Sequence, residues 1–322
     1  MAWLVVRRLM CLPLLVVLVG CVADTYTQRM GRLYDSVRSQ PQIQPPADFV
    51  SAAPAVIDTA PIAKADMVVF AARPGDAVVS AYATIRLAVS QGKRVVIVYV
   101  TNGDAQTEAA QALAELPATA TPTPEQYLQA AAVLQDVALH AAENALGMKR
   151  DDAVFLSYPD GALHELTDDA PDDVVRSPFT EKDGLFDAGI TPYRIARSGQ
   201  GVPYSFNAIL HDLNDILVEL NPAEIYLPSP ASADETVAAA GRLIARSLRE
   251  VAPREAQVFA YAQALDEEQP PLDRRVPVTD PAAKQRALDR DATRIGTAGW
   301  PAAPDAMLEE EQFWAFDSSA ER

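Results

Sequence analysis

Four short stretches carry the side chains able to do chemistry: Arg73-Pro74-Gly75-Asp76, Thr101-Asn102-Gly103-Asp104, Tyr158-Pro159-Asp160-Gly161 and Ser232-Ala233-Asp234-Glu235. A carboxylate at such a place can serve as a general base or bind a cation through oxygen. Each residue also has a plainer reading. Asp76 suits the positive end of a helix, Asp104 and Asp160 suit turns, and Arg73 suits a solvated loop. His164 follows the Tyr-Pro-Asp-Gly turn and is placed to line a cleft, whereas His140 and His211 read as surface residues. No two histidines are four apart, so a histidine-rich metal site would need scattered pieces. The only cysteines, Cys11 and Cys21, exclude a disulfide scaffold and a cysteine-based zinc finger.

These stretches follow apolar runs that must position them. Residues 66–72 (DMVVFAA), 93–101 (KRVVIVYVT), 153–158, 224–227 and 257–261 read as strands, the second strongest because β-branched residues dominate it. Helices are expected at 78–89, 124–146, 205–220, 234–249 and from 280 to about Gly296. Thr123-Pro124-Glu125-Gln126 forms a capping-box start, and Gly147 is a suitable stop. Strands alternating with helices imply a Rossmann-like α/β domain with a mainly parallel sheet and helices on both faces. Ligand sites in such folds lie at the C-terminal ends of the strands, where the four stretches fall. No G-x-G-x-x-G follows the first strand and no P-loop pattern occurs, so a dinucleotide or nucleotide-phosphate site is not expected.

Composition bounds the partners. The chain has 322 residues, with 27 Lys+Arg against 44 Asp+Glu and a net charge of −17, the wrong balance for a nucleic-acid binder. At the N-terminus, Arg7 and Arg8 precede the apolar run Leu9 to Gly20, too short for a bilayer span and suited to a signal peptide. It ends Leu18-Val19-Gly20-Cys21, which resembles the lipobox of bacterial lipoproteins and implies cleavage before Cys21 and lipidation of that residue. Residues 1–20 are thus expected to be a signal peptide, 21–64 a lipidated cysteine with a Pro/Ala/Gln-rich tether, 65–300 the α/β domain and 301–322 a tail. The protein is then expected in the cell envelope, lipid-anchored on the periplasmic or extracytoplasmic side of a membrane.

The four strand-end stretches, with Leu146-Gly147 before the third strand, resemble the PIG-L/LmbE-like N-acetylglucosamine deacetylases over residues 65–300. Thr101 to Asp104 matches that family's Thr-x-Gly-Asp, and Tyr158 to Gly161 its Tyr-Pro-Asp-Gly. The resemblance implies zinc held by the His and second Asp of an Ala-His-Pro-Asp-Asp-Glu motif and by the last His of a late His-x-Asp-His. The first Asp of the pair is the family's general base. Position by position, the ligands become Arg73, Asp76 and Glu235, the base becomes Gly75, the motif's Glu becomes Ala77 and the late charge-stabilising His becomes Ser232. The family's helical Arg and Glu become Gln135 and Ala138. The site formed by Arg73, Asp76, Ser232, Asp234 and Glu235 is therefore expected to be vestigial, without zinc, with Asp160, Asp104 and His164 lining a substrate pocket. Arg73 is expected to replace the missing cation and to lie within hydrogen-bonding distance of Asp76 or Glu235.

Three functions follow as alternatives. The first is a lipid-anchored pseudo-deacetylase that binds a carbohydrate, a glycolipid or an envelope partner. The second is an active hydrolase of N-acetylated sugars with an unconventional site. The third is a purely structural envelope lipoprotein.

Overall fold

The computed structural model describes residues 63–251, 255–261, 273–295 and 305–317. The expected signal peptide, Cys21 and nearly all of the tether lie outside the described residues. The strand readings hold: β1 (Met67–Ala71), β2 (Val95–Thr101), β3 (Ala153–Tyr158), β4 (Glu224–Pro228) and β5 (Gln257–Tyr261) form where apolar runs were seen. Every residue of β1 and β2 is buried, as strands covered on both faces must be.

Two further strands, β6 (Arg274–Pro277) and β7 (Glu310–Ala315), complete a seven-stranded sheet of order β3-β2-β1-β4-β5-β7-β6. The first five are parallel; β7 runs antiparallel to β5, and β6 antiparallel to β7. The chain steps outward from β1 to β3, then returns to the other side of β1 with β4. The strand order therefore reverses between β1 and β4, the place where open α/β sheets form their ligand crevice.

Helices cover both faces. Alternate β1 residues Met67, Val69 and Ala71 pack with α1 (Asp76–Ser90), with α3 (Pro124–Asn144), which follows the short α2 (Thr107–Leu113), and with the helix over Pro281–Ile295. Val68 and Phe70 face the opposite layer, built from α5 (Phe206–Leu220) and α6 (Glu235–Val251). A short α4 (Tyr193–Ser198) interrupts the long connection between β3 and α5, and Pro281–Ile295 is α7. The capping box forms as expected: Thr123 Oγ1 accepts from the Gln126 N–H and Gln126 Oε1 from the Thr123 N–H. Gly147 lies beyond α3 with φ +75°, the left-handed conformation that glycine supplies without strain.

The segment after residue 300 is not the tail expected from sequence. After α8 (Asp305–Glu309), β7 enters the sheet with Phe313 and Trp314 buried. Its Glu311 is fully buried and completes α1, whose helix is broken at Ala81 (φ −139°, ψ 20°). Glu311 Oε1 accepts from the Ala83 N–H at 2.7 Å, and Oε2 accepts from the Thr84 N–H at 3.0 Å and its hydroxyl at 2.8 Å. Lys284 of α7, also fully buried, donates to Glu311 Oε1 at 3.2 Å and to the Met307 carbonyl at 2.8 Å. A break in a helix orphans backbone donors that must find acceptors when buried. Here the acceptor comes from a residue 228 positions later, which local periodicity cannot show.

Candidate functional site: a guanidinium between strand-end carboxylates

β1 ends at Ala71, and the turn before α1 is closed by the Arg73 N–H donating to Asp76 Oδ2 at 2.8 Å. Gly75 caps α1 with φ +97°, in the region where a side chain is strained. Asp76, buried as the first residue of α1, thus shapes the turn.

The Arg73 side chain crosses the crevice. Its Nε donates to Asp160 Oδ1 at 2.8 Å, while Nη1 and Nη2 donate to Asp234 Oδ2 and Oδ1 at 2.7 and 2.9 Å. The fork therefore pairs bidentately with a carboxylate following β4, and its remaining edge takes a carboxylate following β3. The Asp160 side chain is 0% exposed, that of Arg73 20% and that of Asp234 43%, so the cluster is dry on one side and wet on the other. Burial opposes the Arg73 charge, but Asp160, Asp234 and Asp76 outweigh it and hold the guanidinium above its ordinary range. Burial likewise works against the Asp234 carboxylate, and the Arg73 hydrogen bonds and charge nevertheless pull it below the usual value.

Asp160 is itself held from several directions. Its Oδ2 accepts from Gln106 Nε2 at 3.1 Å, its N–H donates to Asp104 Oδ1 at 2.7 Å, and its carbonyl accepts from the Thr236 hydroxyl at 2.7 Å. The other Asp104 oxygen accepts from the Ser177 and Thr180 hydroxyls at 2.7 and 3.1 Å. Asp104 is fully buried, and burial pushes its carboxyl up to about 6 against these hydrogen bonds. Asp104 is thus a strut: it joins the end of β2 to the Asp160 turn and to the irregular segment carrying Ser177 and Thr180.

The site differs from the sequence expectation in its partners. Arg73 touches Asp76 only through its backbone, and its guanidinium goes to Asp160 and Asp234, not to Asp76 or Glu235. Glu235 is exposed as the first residue of α6. The reason is helical geometry. Asp234 stands immediately before the helix, where its Oδ1 also accepts from the Val237 N–H at 3.1 Å. The next position is turned by about 100° around the axis, away from that cap. Ser232 serves the same loop, its hydroxyl accepting from the Asp234 N–H at 3.2 Å. His164 is exposed at the end of the 3₁₀ turn Asp160–Glu165 and lines a different cavity, described below. His140 and His211 lie at the surface beside Asp136 and Asp215, as expected. Gln106, Ser177, Thr180 and Thr236 were missed, because only the tertiary fold brings them to Asp104 and Asp160.

The zinc implied by the family resemblance does not fit these residues. The first ligand position is a guanidinium, the retained Asp76 is engaged by the Arg73 N–H in the turn before α1, and Glu235 is exposed. Among the described residues no group of three His, Cys, Asp or Glu could hold a metal ion.

Residues 68–245 match the PIG-L family model, described as GlcNAc-PI de-N-acetylase. Similar solved structures include the N,N'-diacetylchitobiose deacetylase of Pyrococcus horikoshii, at 16% identity and TM-score 0.49, covering 80% of this chain and 86% of that one. A conserved protein of Thermus thermophilus is also similar at 16% identity and TM-score 0.48, covering 78% and 94% respectively. No curated protein matched the chain. The family match takes in β1 with its Arg73 turn, the Asp104 and Asp160 loops and β4 with Asp234, and on it this chain belongs to the PIG-L family.

Proposed function

We propose that this protein is a non-catalytic PIG-L family member, held on a membrane by a lipid on Cys21, whose strand-end crevice binds a carbohydrate or an envelope partner. One observation carries the reading: the Arg73 guanidinium is clamped by Asp160 and Asp234 where the family's chemistry needs a metal. A permanent cation there repels a second one, and Gly75 offers no side chain to take a proton from water. Loss of a general base alone typically lowers rate by about 10²–10⁴-fold, and loss of a metal-activated nucleophile lowers it further. The Asp234 carboxylate is partly exposed and remains able to accept a hydrogen bond from a hydroxyl-rich ligand.

The test is an assay of purified protein on N-acetylglucosamine conjugates with added zinc. Acetate release at the uncatalysed rate is expected. Turnover removed by a chelator and restored by zinc would establish an active deacetylase instead.

A further inference from the structure

A second cavity, of about 250 Å³, opens between α6 and the segment that follows β3. One wall is a stripe of three arginines, Arg242, Arg246 and Arg249. Their spacing of four and three residues puts them on one face of α6. His164, Thr167 and Asp168 also line it, and the buried Leu166, Phe206 and Leu243 give the cavity an apolar floor. By the 1.5 Å helical rise, the stripe starts about 12 Å along α6 from Asp234, so it is separate from the Arg73 crevice.

The charge in this cavity is under-compensated. Arg246 is paired with Glu250 at 3.0 Å. Among the described residues Arg242 reaches the Pro230 carbonyl, at 3.4 Å, and no carboxylate. Arg249 has no hydrogen-bond or ion-pair partner among the described residues. Among the described residues Asp168 is the single carboxylate lining the space. Like charges one turn apart on a helix repel. In a chain with 17 more acidic than basic residues, gathering three arginines of which one is paired with a carboxylate is an unfavourable choice unless an anion is present. A solvated helix face would account for the charges, but not for a concavity floored with buried leucines and a phenylalanine.

We infer that this cavity binds a phosphoryl group, with the α6 arginines taking its oxygens and the apolar floor taking the adjoining carbon skeleton. Guanidinium forks match phosphoryl oxygens in pairs, and the volume lies just below the range of about 300–1,000 Å³ usual for drug-sized ligands. A small phosphate ester and the headgroup of an anionic phospholipid share this chemistry.

Calorimetric titration of the full-length protein in a neutral detergent tests it. Glycerol 3-phosphate and inorganic phosphate are the free probes; micelles doped with phosphatidylglycerol are the lipid probe, and micelles doped with phosphatidylcholine are the control. Saturable binding of a free probe or of the phosphatidylglycerol micelles is expected, at least tenfold weaker in the Arg242→Gln/Arg249→Gln double variant and weaker at high salt. Competition by glycerol 3-phosphate against the doped micelles would assign the site to free phosphate esters. Micelle binding that glycerol 3-phosphate leaves untouched would assign it to the lipid. The double variant removes no ion pair among the described residues, so its unchanged thermal melt serves as the folding control. Absence of saturable binding by every probe, or equal binding by the double variant, would overturn the inference, and neither outcome bears on the crevice at Arg73.

Discussion

At the residue scale, a guanidinium shared between two loops cannot be shortened without leaving a carboxylate behind. Asp160 is fully buried and, among the described residues, would keep only Gln106 as a side-chain partner for its charge. Removing one member of a buried pair typically destabilises by about 3–5 kcal/mol, while an exposed pair contributes about 0–1. Because Asp234 faces solvent, Arg73→Ala is expected near the lower end, about 3 kcal/mol, read as a fall in the urea midpoint. Asp160→Asn together with Arg73→Ala is expected to recover part of that loss, since no buried charge is then stranded. A single-variant loss below about 0.5 kcal/mol would reduce the cluster to an ordinary surface pair. The pair need not raise net stability over an apolar replacement; its clearer effect is to tie β1 to β3 and β4 in one geometry.

At the scale of elements, two buried acids act as joints between segments distant in sequence. Asp104 joins β2, the Asp160 turn and the Ser177–Thr180 segment. Its folded-state value of about 6 lies above the ordinary 3.8, so the folded form holds the proton more tightly than the unfolded form. Its contribution is fully present below pH 4 and is lost as pH rises through 6, with an order of magnitude of about 3 kcal/mol. Asp104→Asn is therefore expected to flatten the fall in stability between pH 4 and 6, measured by chemical denaturation across that window. An unchanged slope would mean that the three hydrogen bonds to Asp104 already offset its burial. Glu311 joins β7 to the broken helix α1 and to Lys284. Glu311→Ala would leave a fully buried ammonium with only the Met307 carbonyl and two backbone donors without acceptors. A loss of about 3–5 kcal/mol is expected in thermal or urea unfolding, with Glu311→Gln milder because it retains one acceptor.

At the scale of the whole molecule, topology decides where the site is. Reversal of strand order between β1 and β4 opens the crevice, and the Arg73–Asp234 pair closes across it. Our proposal that Cys21 carries the lipid predicts that Cys21→Ser either abolishes processing or releases the protein into the soluble envelope fraction. Membrane fractionation with a size shift on gels reads both. Full processing and full membrane retention in that variant would remove the lipidated cysteine from the proposal and leave the crevice reading intact.

By itself the sequence determined the alternation of strands and helices, the parallel character of the central sheet and the loops that carry the site. Those follow from local quantities: β-branched apolar runs such as 95–101, a Thr-Pro-Glu-Gln helix start, a glycine after a helix. It also showed that position 73 is a cation and position 75 has no side chain. Only the tertiary structure decided which carboxylates receive that cation. Asp234 and Glu235 are neighbours in sequence, and the helix that begins between them gives one to Arg73 and the other to solvent. Likewise Asp104 reads as a turn former until Ser177 and Thr180, more than 70 residues away, hydrogen-bond to it. The last segment reads as a tail, and its burial depends on an open edge at β5 and a broken helix α1 that no local pattern records. Periodicity reports what one element needs to cover; which distant group covers it is set by packing.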